Sequence, residues 1–288
     1  MHNFADDNTI AAAANSIVDL INVLETESDH AIKWFKDNDM IVNPEKFHAI
    51  IINKCGRHNE LHDLKIDGEV ITSEKSVKLL GIDIDYKINF NNHICNLCKK
   101  AAGQLNAICR SQRFIGNSEN KVLIDSFAYS IFIFCPMVWM HTSQKSIRKI
   151  ERIQERAFRL LLTDYTSTYN DLIVQMGKST MSIKRHRTLC LEIFKNLNNL
   201  NPSYMKDIFV KNKRDCSRSP NNLMRFSYKG ITYGKNSLRN MGPDVWNNLP
   251  EHFKECNVLS VFKRLIRTWD QFICNCKSCT TLGCENSM

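Results

Sequence analysis

Near residue 90 the hydrophobic repeat of this chain changes its period, and that change limits what the chain can fold into. Upstream, short apolar runs lie between turn residues. Residues 47–52 are β-prone, and Ala49 to Ile52 are apolar throughout, as a buried strand would be. Residues 64–71 are split by Asp67-Gly68, the strongest short-range cue for a two-residue hairpin turn. Residues 77–84 predict a further strand, with Gly81 marking a bulge or a close backbone approach. A helix precedes these strands. Asn8 or Thr9 can cap it, Ile17, Leu20, Ile21 and Leu24 share one face, and Ala31, Ile32 and Phe35 resume the stripe after a polar break at residues 25–29. It should end near Asn38, because Asn43-Pro44 forbids continuation. Downstream the helical period takes over, in residues 93–110, 118–134, 144–162, 182–200 and 260–273. Residues 201–242 are polar and basic (Lys211-Asn212-Lys213-Arg214, Ser217-Arg218-Ser219-Pro220) and read as a long loop or linker in reach of nucleic acid. The expected fold class is α+β, a strand-and-helix module followed by an all-helical one.

The charge changes at the same place. Residues 1–90 carry nine Lys and Arg against sixteen Asp and Glu, whereas residues 91–288 carry thirty against fourteen. An acidic module joined to a strongly basic one suits metal chemistry beside a polyanion, with an incidentally basic surface as the alternative. With 43% hydrophobic and 24% charged residues, the 288-residue chain is globular and long enough for two cores. The run 122–140 contains Asp125, Ser126, Ser130 and Pro136, so a buried helix pair is expected and no membrane span. The start, MHNFADDNTI, lacks a basic and apolar leader, which points to an intracellular protein of nucleus or cytoplasm rather than a secreted one. Its twelve cysteines are then expected as thiols or metal ligands, not as disulfides.

Three clusters bear chemistry. Asp6 and Asp7 are adjacent carboxylates at a tight turn. Their repulsion is on the order of 4 kcal/mol at 4 Å in a partly buried setting and roughly 1 in water, so a buried pair calls for a proton or a hard cation such as Mg²⁺. An acidic helix start is the plainer alternative. In residues 144–162, Lys145, Lys149, Arg152, Arg156 and Arg159 fall within roughly 80° of one helix side. Ile147, Ile150, Ile153, Ala157 and Leu161 centre on another. The cationic side suits phosphate tracking, with Glu151 and Glu155 expected off to one side. Cys274, Cys276, Cys279 and Cys284 place four thiols in eleven residues, suiting Zn²⁺ or a redox-prone tail. Cys95 and Cys98 sit in a helical pattern and are expected to be structural. His186, between Arg185 and Arg187, is expected to extend a basic patch.

Phe4-Ala5-Asp6-Asp7 resembles the metal-binding turn of reverse transcriptases from non-LTR (LINE-type, jockey-like) retrotransposons. The likeness continues in order: Asn43-Pro44-Glu45-Lys46-Phe47, then residues 77–85 with Leu79-Leu80-Gly81-Ile82, then Phe90 and His93-Ile94. Tyr129-Ser130, Trp139, Gln154 with Arg156, and residues 242–250 (GPDVWNNLP) resemble the family's tail. This resemblance implies the rear of a polymerase palm in residues 1–90, a helical thumb-like region in 91–165 and a C-terminal extension with a Cys-rich tail in 166–288. It implies catalytic roles for Asp6 and Asp7 as Mg²⁺ ligands, Asp6 the more direct, and for Lys46 as a general acid toward pyrophosphate. Leu79, Leu80, Gly81 and Ile82 would form the primer grip. The partners would be an RNA template and a DNA primer. The family's palm also uses an aspartate on an earlier strand, together with fingers, and neither has a counterpart in this sequence. The expectation is therefore a fragment of an RNA-directed DNA polymerase that is inactive alone. A non-enzymatic nucleic-acid-binding module is the alternative.

Overall fold

In the computed structural model, residues 1–53, 60–112, 114–140, 142–212, 221–227 and 237–270 are described. They divide into two units, Met1–His93 and Ile94–Met288. Helices and short antiparallel strand pairs make this an α+β fold.

Among the described residues the first unit contains three separate hairpins, each closed by a two-residue loop. Strands β1 (His2–Phe4) and β2 (Asp7–Thr9) pair Phe4 with Asp7 across the loop Ala5-Asp6. Strands β3 (Asp63–Ile66) and β4 (Glu69–Thr72) turn at Asp67-Gly68, both with positive φ (51° and 84°), as the Asp-Gly signal predicts. Strands β5 (Ser76–Leu79) and β6 (Ile82–Asp85) turn at Leu80-Gly81, with φ 46° and 85°. Gly81 is thus no bulge within one strand but the second residue of a tight turn, the position where two consecutive positive φ angles need a residue without Cβ.

Helix α1 (Ile17–Asp37) begins later than Asn8 or Thr9. Those two residues pair into β2 instead, and Ser16 is the cap, its Oγ accepting from the Asp19 N–H at 3.1 Å. The helix closes on Asn38. Asp39 is left-handed at φ 57°, and the Met40 N–H bonds the Phe35 carbonyl at 2.9 Å, a Schellman ending. The polar break along α1 has a use. Glu25 accepts from the Lys65 N–H (2.7 Å), Asp29 from the Asp67 N–H (3.2 Å), and Lys36 pairs with Asp67 at 2.6 Å. The acidic side of α1 therefore satisfies the outer edge of β3.

Residues 49–52, expected as a buried strand, belong to no strand, and Ile52 is exposed. The Ala49 carbonyl accepts from the Glu74 N–H at 2.7 Å. An apolar run becomes a strand only where a neighbour takes up its backbone groups in a ladder, and one bond to Ala49 makes no ladder.

In the second unit, α2 (Asn91–Ser111) is followed by α3 (Asn117–Leu123), a π-helical stretch Ile124–Tyr129, and α4 (Ser130–Ile133). Cys135 at φ 42° breaks the run, and Pro136 opens α5 (Pro136–Trp139). Among the described residues no helix is long and apolar enough to cross a membrane. Helix α6 (Gln144–Leu162) has the expected bounds, capped by the Ser143 side chain. A short helix not foreseen, α7 (Tyr169–Met176), starts at a Thr168/Asp171 capping box and ends at Gly177. Helix α8 (Met181–Leu197) follows.

The described residues between 201 and 242 pack more than the polar composition of the segment suggests. Phe209 and Leu223 are buried, Lys211 bridges Leu223, and α9 (Leu238–Asn247) begins ahead of Gly242. Lys213, Arg214 and residues 217–220 lie outside the described residues, as do Cys274, Cys276, Cys279 and Cys284. Short α10 (Glu251–Lys254) leads to α11 (Leu259–Thr268), which ends at Thr268 and has Phe262 and Ile266 on its buried side. The core stacks Phe194 on Phe262 at 4.4 Å, with Trp246 beside them at 5.8 Å. Asn247 takes both the N–H and the carbonyl of Leu223 (2.7 and 3.0 Å), and Trp246 Nε1 donates to the Asn221 carbonyl. The GPDVWNNLP stretch is therefore a core clamp.

Candidate nucleic-acid interface

The hairpin loop Ala5-Asp6 and the strand start at Asp7 place the two carboxylates side by side, both exposed. Exposure removes the burial penalty, so their repulsion is at the roughly 1 kcal/mol end of the range. Among the described residues no group of three His, Cys, Asp or Glu side chains could hold a metal ion. Lys46 ends a single 3₁₀ turn (Pro44–Lys46), capped by the Asn43 side chain accepting from the Glu45 N–H at 3.0 Å. Its amine is exposed and is not hydrogen-bonded to either aspartate. Leu79 to Ile82 form the β5–β6 turn, where Leu80 is exposed and Ile82 is buried.

The residues beyond that turn do structural work. The Asp85 carboxylate is buried and accepts from the backbone N–H groups of Lys87, Asn89 and Phe90, the last at 2.7 Å. This folds back a loop in which Ile88 and Phe90 have positive φ. His93 is buried and its Nδ1 accepts from the Asp83 N–H at 3.2 Å. Burial lowers the imidazole pKa against the opposing pull of the Asp83 charge.

Helix α6 divides its two sides sharply. Lys145, Arg152 and Arg156 are exposed, and Lys149 and Arg159 are half-buried. Arg156 Nη2 donates to Asn106 Oδ1 of α2 at 2.5 Å. The Arg159 guanidinium is engaged on several sides: Glu155 at 2.7 Å, the Asp164 carbonyl at 3.3 Å and the Ser167 carbonyl at 3.0 Å. Glu155 thus belongs to the cationic side and neutralises part of it. A cleft of about 490 Å³ lies against this side, lined by Leu105, Cys109, Leu160 and Tyr165 together with Arg152, Glu155, Arg156 and Arg159.

Glu151 does not lie on the surface. It is buried and turned to the start of α8, where its carboxylate accepts from the Ser182 N–H at 2.9 Å, the Met181 N–H at 3.3 Å and the Tyr169 hydroxyl. Gln154, fully buried beside it, accepts from Met181 N–H (3.0 Å) and the Tyr169 hydroxyl (2.8 Å) and donates to the Ser179 carbonyl (2.9 Å). A carboxylate at a helix N-terminus meets unsatisfied N–H groups and the positive end of the dipole. Burial, aided by the Glu151 charge, raises the Tyr169 pKa far out of reach, so its hydroxyl remains a donor.

The tract Arg185-His186-Arg187 is not the surface patch its composition suggests. Arg185 is buried over the Trp139 ring at 5.3 Å, and burial lowers its pKa to about 10. Burial, then the Arg185 charge, lowers His186 to about 4. Arg187 donates to the Trp269 carbonyl at 2.7 Å and to Ser179 Oγ at 2.8 Å. In α2, burial and the neighbouring Cys95 raise the Cys98 thiol to about 11, which keeps it protonated and a poor ligand.

The RNA-directed DNA polymerase from mobile element jockey of Drosophila melanogaster is 26% identical to this chain over 94 residues. The match covers 33% of this chain and 10% of that polymerase, so the chain spans only a small part of its relative's length. No protein-family model matches, and no solved structure does. The likeness relates part of this chain to a reverse transcriptase.

Proposed function

We propose that these residues are the rear portion of a non-LTR retrotransposon reverse transcriptase: the end of the palm, a helical thumb-like region and a C-terminal extension. The observation that carries the reading is the Phe4–Asp7 hairpin, which holds two exposed carboxylates at a two-residue turn. The Asn43–Lys46 turn and the Leu79–Ile82 hairpin follow it in the family's order. The likeness to the jockey polymerase supports the same assignment. Asp6 and Asp7 suit Mg²⁺, which takes one or two carboxylates together with substrate phosphates. Bound there, the ion would stabilise the charge of the attacking and leaving oxygens in nucleotidyl transfer. Lys46 carries an exposed amine able to protonate pyrophosphate once a nucleotide is held against it. Lys145, Lys149, Arg152 and Arg156 would run along the phosphates of the template–primer duplex.

Two carboxylates fall short of the family's three, so these 288 residues alone should not polymerise. Primer extension on a primed RNA template with Mg²⁺ and dNTPs tests this directly. Synthesis that Asp6→Ala abolishes would refute the claim of an incomplete site while keeping the metal assignment. The cationic side of α6 favours a second reading, a non-enzymatic nucleic-acid-binding module. Both readings expect binding to a template–primer duplex with a log–log salt slope near −0.9 per neutralised phosphate. Replacing Lys149, Arg152 and Arg156 by Gln should flatten that slope by about two to three units. An unchanged slope would remove α6 from the binding surface.

A further inference from the structure

The cleft beside α6 contains more than a phosphate-tracking helix needs. A basic ribbon that follows a duplex from outside has no use for an apolar or aromatic lining. Here Leu105 and Leu160 contribute apolar lining, and Tyr165, which also lines the cleft, has 71% of its surface exposed. The volume, about 490 Å³, lies in the range of small-ligand pockets.

The loop that carries Tyr165 is braced on both sides. Thr163, at φ 53°, ends α6, and the Asp164 carboxylate then accepts from the N–H groups of Thr166 and Ser167 at 2.9 and 3.0 Å. Hydrogen bonding from the Ser167 side chain, then from the Ser167 and Thr166 N–H groups, holds the Asp164 carboxyl well below the usual range. Arg159 donates to the carbonyls of Asp164 and Ser167, on either side of Tyr165. Arg159 is thereby a positioning residue. Its charge is already offset by Glu155, which leaves Arg152 and Arg156 as the cations of the cleft. Arg156 is oriented by Asn106, and Arg152 has no hydrogen-bond or ion-pair partner among the described residues.

We propose that this cleft binds one unpaired nucleotide of an RNA or DNA strand, its base against the Tyr165 ring and its phosphate between Arg152 and Arg156. The inference rests on the nucleic-acid reading above and narrows it. Within a duplex each base face is covered by its neighbours, so an aromatic wall can be used only by an unstacked base. An acidic peptide would satisfy the arginines but would leave the ring and the apolar lining without a matching partner. The cleft would therefore hold a single-stranded overhang next to the duplex carried by α6.

Fluorescence anisotropy with the full chain tests this, using a labelled ten-nucleotide oligo-dT, the matching oligo-U, and a blunt duplex of the same length at one salt concentration. Tyr165→Ala should weaken both single strands by roughly 5- to 150-fold, the span associated with one stacked base, and the duplex by less than twofold. Tyr165→Phe should bind single strands as the parent does, because the ring face is kept. Arg152→Gln should weaken single strands and lower their salt slope by about 0.7. Equal losses on single strands and duplex for Tyr165→Ala, or no loss on either, would overturn the nucleotide cleft while the nucleic-acid reading stands. If the parent chain bound neither form, both would fall. Tyr165 is exposed, so its replacement should leave the melting temperature unchanged, and binding losses then report the cleft.

Discussion

Glu151 offers the sharpest test of how α6 is held in place. Glu151→Ala removes an acceptor for the Ser182 N–H; the Met181 N–H and the Tyr169 hydroxyl keep Gln154 as a partner. One part-buried donor is then left without its acceptor, at about 1–3 kcal/mol. The α8 N-terminus loses its carboxylate, worth about 0.3–1 kcal/mol and up to ~2 where partly buried. The Glu151 charge also favours the ionised form of buried Arg185, so its loss adds to the cost. A total near 3 kcal/mol should follow, which for a unit of this size lowers the melting temperature by about 6–12 °C. Glu151→Gln keeps an oxygen for Ser182 and loses only the charge, so roughly half that shift is expected.

Tryptophan fluorescence reads this unit well, because Trp139 and Trp246 are both buried in it. Trp34 lies in the other unit and is exposed, so Trp34→Phe silences its signal without disturbing a core. Urea or thermal unfolding in that background gives the comparison. An alanine variant within about 0.5 kcal/mol of the parent would refute the account, since that is the scatter of an ordinary surface substitution. Equal losses for the alanine and glutamine variants would show that charge alone matters and that the Ser182 bond contributes nothing.

Other perturbations follow from single contacts. A Cβ on Gly242 would lie 2.2 Å from Phe209 Cε1, so Gly242→Ala should destabilise by about 1–3 kcal/mol despite the better helix propensity of alanine, and differential scanning calorimetry would show it. Leu80 holds φ 46° without being glycine, so Leu80→Gly or Leu80→Asn should stabilise the β5–β6 hairpin by up to about 1 kcal/mol; a loss in chemical denaturation would contradict the turn assignment. His186 has a folded pKa of about 4 against 6.5 for the free imidazole. The unfolded chain therefore takes up the proton first. The contribution of the neutral ring is complete above pH 6.5 and is lost as pH falls toward 4, with a slope of at most about 1.4 kcal/mol per pH unit. His186→Gln should flatten the acid limb of a stability–pH curve over that window.

What the sequence makes legible depends on whether the deciding contact is local. Helix α6 is readable to the residue because its apolar and cationic sides are separated and Ser143 caps it. The Asp67-Gly68 turn is readable because both residues tolerate left-handed backbone. Leu80-Gly81 is not, since leucine disfavours that conformation and only the pairing of β5 with β6 enforces it. The α1 cap is expected at Asn8 or Thr9, but both pair into the β1–β2 hairpin, and the cap falls on Ser16, which the sequence reading does not single out. Residues 49–52 have the composition of a strand and make no ladder. Charge is the least readable property of all. Glu151, Arg156 and Arg185 look alike in sequence as charges on helices. One caps α8, one lines a cleft, and one is buried over Trp139.

Tyr165 shows the same limit for the candidate site. A single aromatic in a polar loop has no periodicity, and its significance comes from Arg159 six residues earlier, bracing the carbonyls on either side of it. Arg159 is expected among the phosphate contacts because it falls on the same helical side as Arg152 and Arg156. The structure gives its guanidinium a different engagement, with Glu155 and the loop. Helical spacing identifies which cations share a side. Only the bonds each one already makes decide which of them can take a new anion, and here that distinction leaves Arg152 and Arg156 facing the cleft.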